Sequence, residues 1–466
     1  MTINRLMKRS VAIILIILAL AGIMLLSFSG CQKVLTDFDI KTSKGEYGDK
    51  AYSYMQKLSG EYANRTMATE GEKKAAEYIA SLMSGWGYTS EYETDGVAGL
   101  DSFKLGFNRY DGSSVKDSLA YNVIFTKKSA QSKGEILLMT QYDNLYAEKG
   151  SDGEWAADGS YESGAGVAVM LTLAELMKDI DYGYDITFAF FTGGSYTWMG
   201  AKYFADNLKR ADVENIKLAI NFSMLAGGTN LYLYTGETQT SYGNYLSKAS
   251  QGLTKLPADK QAGNFILESS AIYNYSHIGM LGNQYYLMNK GIPAANYLSL
   301  DWSTNDNPMM TEIKGKTNVY HTKDDTFANM IERKGEEAVK GMTNDVINSV
   351  LVALDTQNSE VMTKALSLAK DEQVNQTAQS SRTATWINIS VKAVVIALIF
   401  GGSIAVKNYV QKNRDKYIVN MGGEENSSEQ EKEPFDDNFD TFKSDSQVEK
   451  NSEPAHHKKD DDDPFV

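Results

Sequence analysis

The sequence predicts an α/β fold, a three-layer sandwich in which helices cover both faces of a mostly parallel mixed sheet. Two apolar runs, residues 136–139 and 186–191, have the length and composition of buried strands. Between them, apolar residues from Val167 to Met177 recur at helical spacing, after a bend rich in glycine and serine. Strands that alternate with helices in this way are typical of a sheet with parallel neighbours.

The flanking segments supply the remaining elements. Helical patterns with buried faces precede the first apolar run and end at the glycines around Trp86, and a polar hairpin is expected over residues 101–118. Further strands are expected at residues 121–125, 217–222, 231–234 and 297–300. A helical stretch is expected near residues 245–249, and the apolar stripe from Met342 to Leu354 indicates a last core helix.

Polar residues follow both central strands. Gln141 to Asn144 come after the first strand, and Thr192 to Ser195 come after the second. Because ligands of α/β sheets bind beyond the carboxyl ends of the strands, we expect a functional site where these two segments meet.

Composition restricts the partners of the chain. Its 466 residues are 42% hydrophobic, enough for one large domain with appendages. The net charge of −14 disfavours nucleic acid as a partner. A single cysteine, Cys31, means that no intrachain disulfide forms, so the domain depends on its core.

Residues 1–31 are predicted to form a membrane segment. Basic residues precede an apolar run over 11–28 that is about long enough to span a bilayer, which places the N-terminus in the cytoplasm. The run is followed by Cys31, which leaves two interpretations open. The segment is either an uncleaved signal anchor or a lipoprotein signal that is removed when Cys31 is lipidated.

A second span is predicted at residues 386–406, again with basic residues on its cytoplasmic side. The domain over 43–355 is then extracellular, held at the membrane of a bacterial-type cell, and a polar linker over 356–385 connects it to the span. The acidic tail, 407–466, is expected to be disordered and cytoplasmic. Two Pro-Phe pairs in acidic patches of this tail are candidate motifs for a cytoplasmic partner.

Several motifs in the domain match a known pattern. The turn Gly291 to Ala294 and the segment Tyr320 to Asp325 are intact, and the turn Ser160 to Gly164 stands where the pattern has Asp-Asn-x-Ser-Gly before a helix. Over roughly residues 43–355 the sequence resembles the zinc aminopeptidases of clan MH, metallopeptidase family 28. That resemblance implies the clan MH fold.

In that family two His, two Asp and one Glu hold two zinc ions, and a second Glu is the general base. The resemblance places the metal ligands at Gln141, Ser160, Ser195, Ser223 and His321. It places catalytic positions at Asp143 and Gly194, the latter in the place of the base. Neutral amides and alcohols bind zinc poorly, and glycine cannot accept a proton, so neither a catalytic residue nor a bound metal is expected.

The sequence therefore predicts a membrane-anchored pseudopeptidase, a binding or scaffolding domain without a cofactor. Its ligand would be an envelope protein, a peptide or a glycan, held by neutral donors in a cleft. The cleft residues are expected to be Gln141, Asp143, Ser160, Ser195, Ser223, Asn283, Gln284 and His321.

Two alternatives retain a metal. An active exopeptidase could hold zinc through an unusual set of ligands, Asp143, Asp158, Glu162 and His321. Calcium, which tolerates irregular shells of oxygen ligands, could instead use the same carboxylates to stabilise the domain.

Overall fold

We describe a computed structural model of the chain. By its internal contacts the chain divides into two units, Met1–Ser380 and Ser381–Val466. All of the described residues belong to the first unit. They are residues 34–108, 114–145, 157–235, 240–253, 265–266, 274–275, 282–300 and 319–372.

Between residues 135 and 223 strands alternate with helices, as the sequence predicts. The helices are α1 Gly48–Glu61, α2 Glu70–Gly85, α3 Ala165–Met177, α4 Met199–Asn207, α5 Arg210–Asn215, α6 Ser241–Ala249, α7 Gln284–Asn289, α8 Phe327–Lys334 and α9 Glu336–Leu354. The strands are β1 Glu93–Thr94, β2 Val97–Ala98, β3 Leu100–Asn108, β4 Ser114–Lys127, β5 Glu135–Gln141, β6 Asp185–Phe191, β7 Ile216–Ser223, β8 Asn230–Tyr234, β9 Phe265–Ile266, β10 Asn274–Tyr275 and β11 Ala294–Leu300. Short turns of other helix types cover Ser160–Gly164, Gly194–Tyr196 and Thr356–Asn358.

Seven strands form the central sheet in the order β3-β4-β6-β5-β7-β11-β8. The four middle strands β6, β5, β7 and β11 run parallel to one another. The pairs β3-β4, β4-β6 and β11-β8 are antiparallel. The sheet is therefore mixed, as predicted, and five of its seven strands run in the same direction, namely β3, β5, β6, β7 and β11.

Both faces of the sheet are covered. Every residue of β6 and of β11 is buried, and successive side chains of a strand point to opposite faces. Helix α3 packs closely on β5 and β7. A Cβ atom at Gly166 would lie 2.5 Å from Thr140 Oγ1 and 2.8 Å from the carbonyl oxygen of Phe222. Only glycine permits this approach, which sets α3 directly against the strands that carry the candidate site.

The packed region extends beyond residues 43–355 on both sides. Phe38 is buried before it, and Met362 and Ala369 are buried after it, in a stretch of helical residues from 359 to 372. The first part of the predicted polar linker is thus folded onto the domain. Its alanines and Met362 form an apolar stripe. The polar residues around them lower the average hydrophobicity of the segment, so composition alone does not reveal the stripe.

The predicted membrane spans, 1–31 and 386–406, lie outside the described residues, as does the acidic tail. Within the described ranges, no helix combines the length and the hydropathy needed to cross a bilayer.

Candidate functional site

The ends of β5 and β6 meet as the sequence predicts. The carboxylate of Asp143, beyond β5, accepts hydrogen bonds from the backbone N–H groups of Gly194 at 2.8 Å and Ser195 at 3.3 Å, beyond β6. Asp143 is fully buried, and this burial, with the nearby negative charge of Glu162, raises its pKa to about 7. Asp143 therefore joins two strand ends through backbone hydrogen bonds.

A second carboxylate, Glu162, lies at the centre of the site. It sits on the turn Ser160–Gly164 and is 2% exposed. Its Oε1 atom accepts a short hydrogen bond from Ser195 Oγ and a long one, 3.5 Å, from Gln141 Nε2. Its Oε2 atom accepts a bond of 3.4 Å from the backbone N–H of Leu145.

His321 completes the surroundings of Glu162. Its Nε2 atom lies 3.2 Å from Glu162 Oε1, within ion-pair distance, although the angles are not those of a hydrogen bond. The residue has a positive φ of 58°, and its ring stacks on Tyr320 at 3.8 Å between ring centroids. The carboxylate of Glu162 is therefore surrounded by Gln141, Ser195 and His321. The family resemblance places all three residues at metal-ligand positions.

Two aspartates hold the turn that carries Glu162. The carboxylate of Asp325 accepts hydrogen bonds from the N–H groups of Tyr161 at 2.7 Å and Glu162 at 2.9 Å. Asp158 accepts bonds from the side chain of Ser160 and from the N–H of Phe327. Burial raises the pKa of both carboxyl groups. The turn is thus capped by acidic side chains whose oxygens are already engaged.

A buried arginine offsets this concentration of acidic groups. Arg65 is fully buried and donates to the carbonyl oxygens of Tyr142 at 2.7 Å and Asp158 at 2.8 Å, and to Ser163 Oγ at 3.0 Å. Burial lowers its pKa, while neighbouring carboxylates, among them Glu162, raise it. Arg65 supplies the cationic charge inside the site.

A separate chain of amides lies on the β7 and β11 side. Asn283 Nδ2 donates to Asn221 Oδ1 at 2.9 Å, and Asn221 Nδ2 donates to Asn296 Oδ1 at 2.9 Å. Ser223, at the end of β7, pairs in register with Leu298. The predicted site residues thus divide into a group around Glu162 and an amide group on the neighbouring strands.

Gly194, at the position of the general base, is packed against Gln141. A Cβ atom at residue 194 would lie 2.3 Å from Gln141 Oε1, which accepts a hydrogen bond of 3.2 Å from Trp198 Nε1. A glutamate could not be accommodated at residue 194 unless Gln141 moved.

Exposure distinguishes one of the eight predicted cleft residues from the others. Seven of them are at most 2% exposed, whereas the side chain of His321 is 21% exposed. The seven buried residues are Gln141, Asp143, Ser160, Ser195, Ser223, Asn283 and Gln284. In the described part of the chain, a ligand would reach this group at His321.

The donors present do not fit a pair of zinc ions. Zinc requires thiolate, imidazole or carboxylate ligands, whereas four of the five ligand positions carry amides or hydroxyls. The carboxylates of Asp143, Asp158 and Asp325 are engaged with backbone N–H groups. Among the described residues, no three acidic, histidine or cysteine side chains converge as metal ligands. The alternative set Asp143, Asp158, Glu162 and His321 is therefore not assembled around one point.

Comparison with known proteins agrees with the motifs. The model of peptidase family M28 matches residues 122–346, a range that includes β5, α3, β6 and the turn that carries Glu162, but not Arg65. The chain resembles peptidase family M28. The family match covers the M28-like domain from within β4 to within α9 and confirms the resemblance that the motifs predict.

Two curated relatives match parts of the M28-like domain. The alkaline phosphatase isozyme conversion protein of Escherichia coli is 22% identical over 202 residues, 42% of this chain and 57% of that protein. The probable leucine aminopeptidase 2 of Aspergillus fumigatus is 27% identical over 147 residues, 31% of this chain and 28% of that protein. The matched regions thus span less than two thirds of either relative.

Solved structures similar to this chain include a zinc aminopeptidase from Bacillus subtilis, with 15% identity and a TM-score of 0.49 over 66% of this chain and 95% of that one. They also include a glutaminyl cyclase from Porphyromonas gingivalis, with 18% identity and a TM-score of 0.45 over 66% of this chain and 98% of that one.

Sequence reasoning missed two parts of the M28-like site. Arg65 lies far from the motifs along the chain, and nothing in its local sequence distinguishes it from a surface arginine. The central position of Glu162 was also missed, although one signal was present. Glu162 occupies the variable position of the Asp-Asn-x-Ser-Gly pattern, and an acidic residue there lies beside the lost bridging position, Ser160.

Proposed function

We propose that this chain is a membrane-anchored M28-like pseudopeptidase that acts at the cell envelope by binding and not by hydrolysis. One observation carries the proposal. Gln141, Ser195 and His321 surround the buried carboxylate of Glu162, at the point where an active relative requires ligands directed at a metal.

Charge supports the same conclusion. A bound metal would supply the positive charge that activates a water molecule for attack on a peptide bond. In this chain the same surroundings hold a carboxylate, which cannot polarise a carbonyl group. Gly194 has no side chain that could accept a proton. The side chain of Gln141 leaves no room for a larger residue at position 194.

Binding would take place at the exposed edge of the site. The ring of His321 is partly exposed and stacked on Tyr320, so an approaching peptide or glycan would meet an aromatic surface with polar atoms beneath it. The partner would be an envelope protein, a free peptide or a sugar chain. A cytoplasmic partner would bind the acidic tail and its Pro-Phe motifs.

The test of inactivity is hydrolysis of amino-acid amides by the full chain, purified in detergent and supplied with zinc. We expect the same background rate from the wild-type protein and from His321→Ala. The matched control Glu337→Ala changes a residue whose side chain is 93% exposed. Hydrolysis by the wild-type protein and by the control that His321→Ala abolishes would contradict the proposal.

A further inference from the structure

The two ends of the described chain meet at one serine. The N–H of Leu35 donates to Ser241 Oγ at 2.9 Å. Glu372 accepts hydrogen bonds from Ser241 N at 2.8 Å and from Ser241 Oγ. Ser241 is the first residue of α6, and it is fully buried together with Glu372, which is 4% exposed. Residues more than 300 positions apart in the sequence are therefore joined through the start of one helix.

The N-terminal end is fixed by more than this contact. Residues 34–47, which we call the strap, lie along α6, α9 and the turn after α9. Asn358 donates to the carbonyl oxygen of Lys41 and accepts from its N–H, both at 2.8 Å. Asn348 makes the same pair of bonds with Gly45, at 2.8 and 3.0 Å.

Leu35 itself is held on both sides, because Asn244 Nδ2 donates to its carbonyl oxygen at 2.9 Å. Between Leu35 and Lys41, the ring of Phe38 packs edge-on against Tyr245, with 5.6 Å between ring centroids. Polar clamps and an aromatic contact thus prevent the strap from swinging away from the domain.

The strap leads directly to the predicted membrane attachment. Leu35 is four residues after Cys31 and seven after Phe28, the last residue of the apolar run. An extended chain of four to seven residues reaches at most about 14–25 Å. Whether the anchor is an uncleaved span or a lipidated Cys31, the start of α6 must therefore lie within that distance of the membrane interface.

We propose that the face of the domain formed by α6 and the strap is turned toward the lipid headgroups. This inference rests on the membrane attachment contained in the proposed function, and it adds the orientation of the domain. Helix α6 packs on β8, one edge of the central sheet, and β3 forms the other edge. Six strand spacings of about 4.8 Å separate these edges, so β3 lies roughly 29 Å farther along the sheet.

Lipid quenching tests this orientation. The full chain carries a fluorophore on Lys248→Cys, in α6, or on the matched control Lys104→Cys, in β3. Both lysines are exposed, and the signal from Cys31 is common to both variants and is subtracted. The labelled chains are reconstituted into phosphatidylcholine vesicles that bear a nitroxide on the headgroup, and flotation of the vesicles measures attachment.

We expect both variants to float with the vesicles and the label at residue 248 to be quenched several-fold more than the label at residue 104. Equal quenching, or stronger quenching at residue 104, in chains that float would overturn the orientation alone. Chains that do not float with the vesicles would overturn both the attachment and the orientation.

Discussion

The carboxylate of Glu162 lies 3.2 Å from the imidazole Nε2 of His321, and the two side chains differ sharply in accessibility, 2% against 21%. The buried carboxyl group and the partly exposed imidazole lie side by side, next to the amide of Gln141 and the hydroxyl of Ser195. In an active M28 peptidase a histidine at the position of His321 would contact a metal. Here it contacts a side chain of its own domain.

Removal of Glu162 should destabilise the domain. Glu162→Ala leaves Ser195 Oγ and Gln141 Nε2 buried without their present acceptor, and we expect it to lower the free energy of unfolding by about 2–4 kcal/mol. Chemical denaturation of the full chain in detergent measures the change. The control Glu337→Ala should change it by less than about 0.5 kcal/mol. Equal stability of the two variants would show that Glu162 does not support the site.

Arg65 should be indispensable for folding. Arg65→Met leaves the buried carboxylates around it without a compensating charge, so we expect a loss of about 3–5 kcal/mol in the free energy of unfolding. The matched change Arg210→Met affects a side chain that is 92% exposed and pairs with Glu214 on its own helix. It should cost about 0.5 kcal/mol or less. The account of the buried arginine fails if the two losses are similar.

The contact between Gly194 and Gln141 can be tested by a double-mutant cycle. Gly194→Ala introduces a Cβ atom 2.3 Å from Gln141 Oε1, which should destabilise the domain. In a Gln141→Gly background the three nearest atoms, Oε1, Cδ and Cβ of residue 141, are all absent, so the same change should cost much less. Unfolding free energies of the four proteins give the coupling, which is expected to be about 1–3 kcal/mol. Additive effects would mean that Gly194 is not restricted by Gln141.

Stability should fall as the pH rises toward neutrality. Glu72 is fully buried, and desolvation raises its pKa from 4.5 to about 7. Because the folded state holds the proton more tightly than the unfolded chain, this stabilisation is complete below about pH 4.5 and is lost as the pH rises through 7. The slope contributed by Glu72 is at most about 1.4 kcal/mol per pH unit.

Denaturation between pH 5 and 7.5 measures this slope in the wild-type protein and in Glu72→Gln. We expect a shallower decline in Glu72→Gln, with the remainder due to other buried carboxyl groups whose pKa values are raised in the same direction, Asp143 and Asp325 among them. The exposed variant Glu337→Gln should keep the wild-type slope. A Glu72→Gln protein that retains the full slope would refute the assignment to Glu72.

The local elements of the fold could be predicted from the sequence, whereas the interior of the site could not. Apolar periodicity predicts helix α3, short apolar runs predict strands β5 and β6, and Gly193 and Gly194 mark the end of β6. The roles of Arg65 and Asp325 depend on partners far away in the chain, reached only after the sheet has formed. The strap is a further example, because Asn348 and Asn358 are ordinary helix and turn residues until residues 41–45 lie beside them.

The site around Glu162 could be predicted only in part. The losses at Gln141, Ser160, Ser195 and Ser223 could be read from the motifs, and they indicated that the metal-binding chemistry had changed. The carboxylate now found in the site is carried by the turn Ser160–Gly164. The position of this turn depends on a hydrogen bond to Asp325, 163 residues away in the sequence. Motifs could therefore predict the absent ligands but not the carboxylate that these side chains now surround.

Rebuilding the ligands should restore zinc binding only when Glu162 is removed. The chain with Gln141→His, Ser160→Asp, Ser195→Glu and Ser223→Asp retains Glu162 as an extra negative charge beside residue 195. We expect tight zinc binding, measured by calorimetry on chains whose circular dichroism shows a folded domain, only after Glu162→Ala is added. Equal zinc affinity of the two folded proteins would contradict the central position of Glu162.

The zinc content of the purified full chain tests the central claim most directly. The protein would be produced in zinc-supplemented medium, purified in detergent without chelators and examined by elemental analysis beside His321→Ala. If Glu162 stands where a metal would be held, both proteins should contain far less than one zinc ion per chain. For each protein, a chelator should leave the unfolding temperature unchanged. Two zinc ions per wild-type chain, lost in His321→Ala and removed by a chelator with loss of structure, would contradict the account.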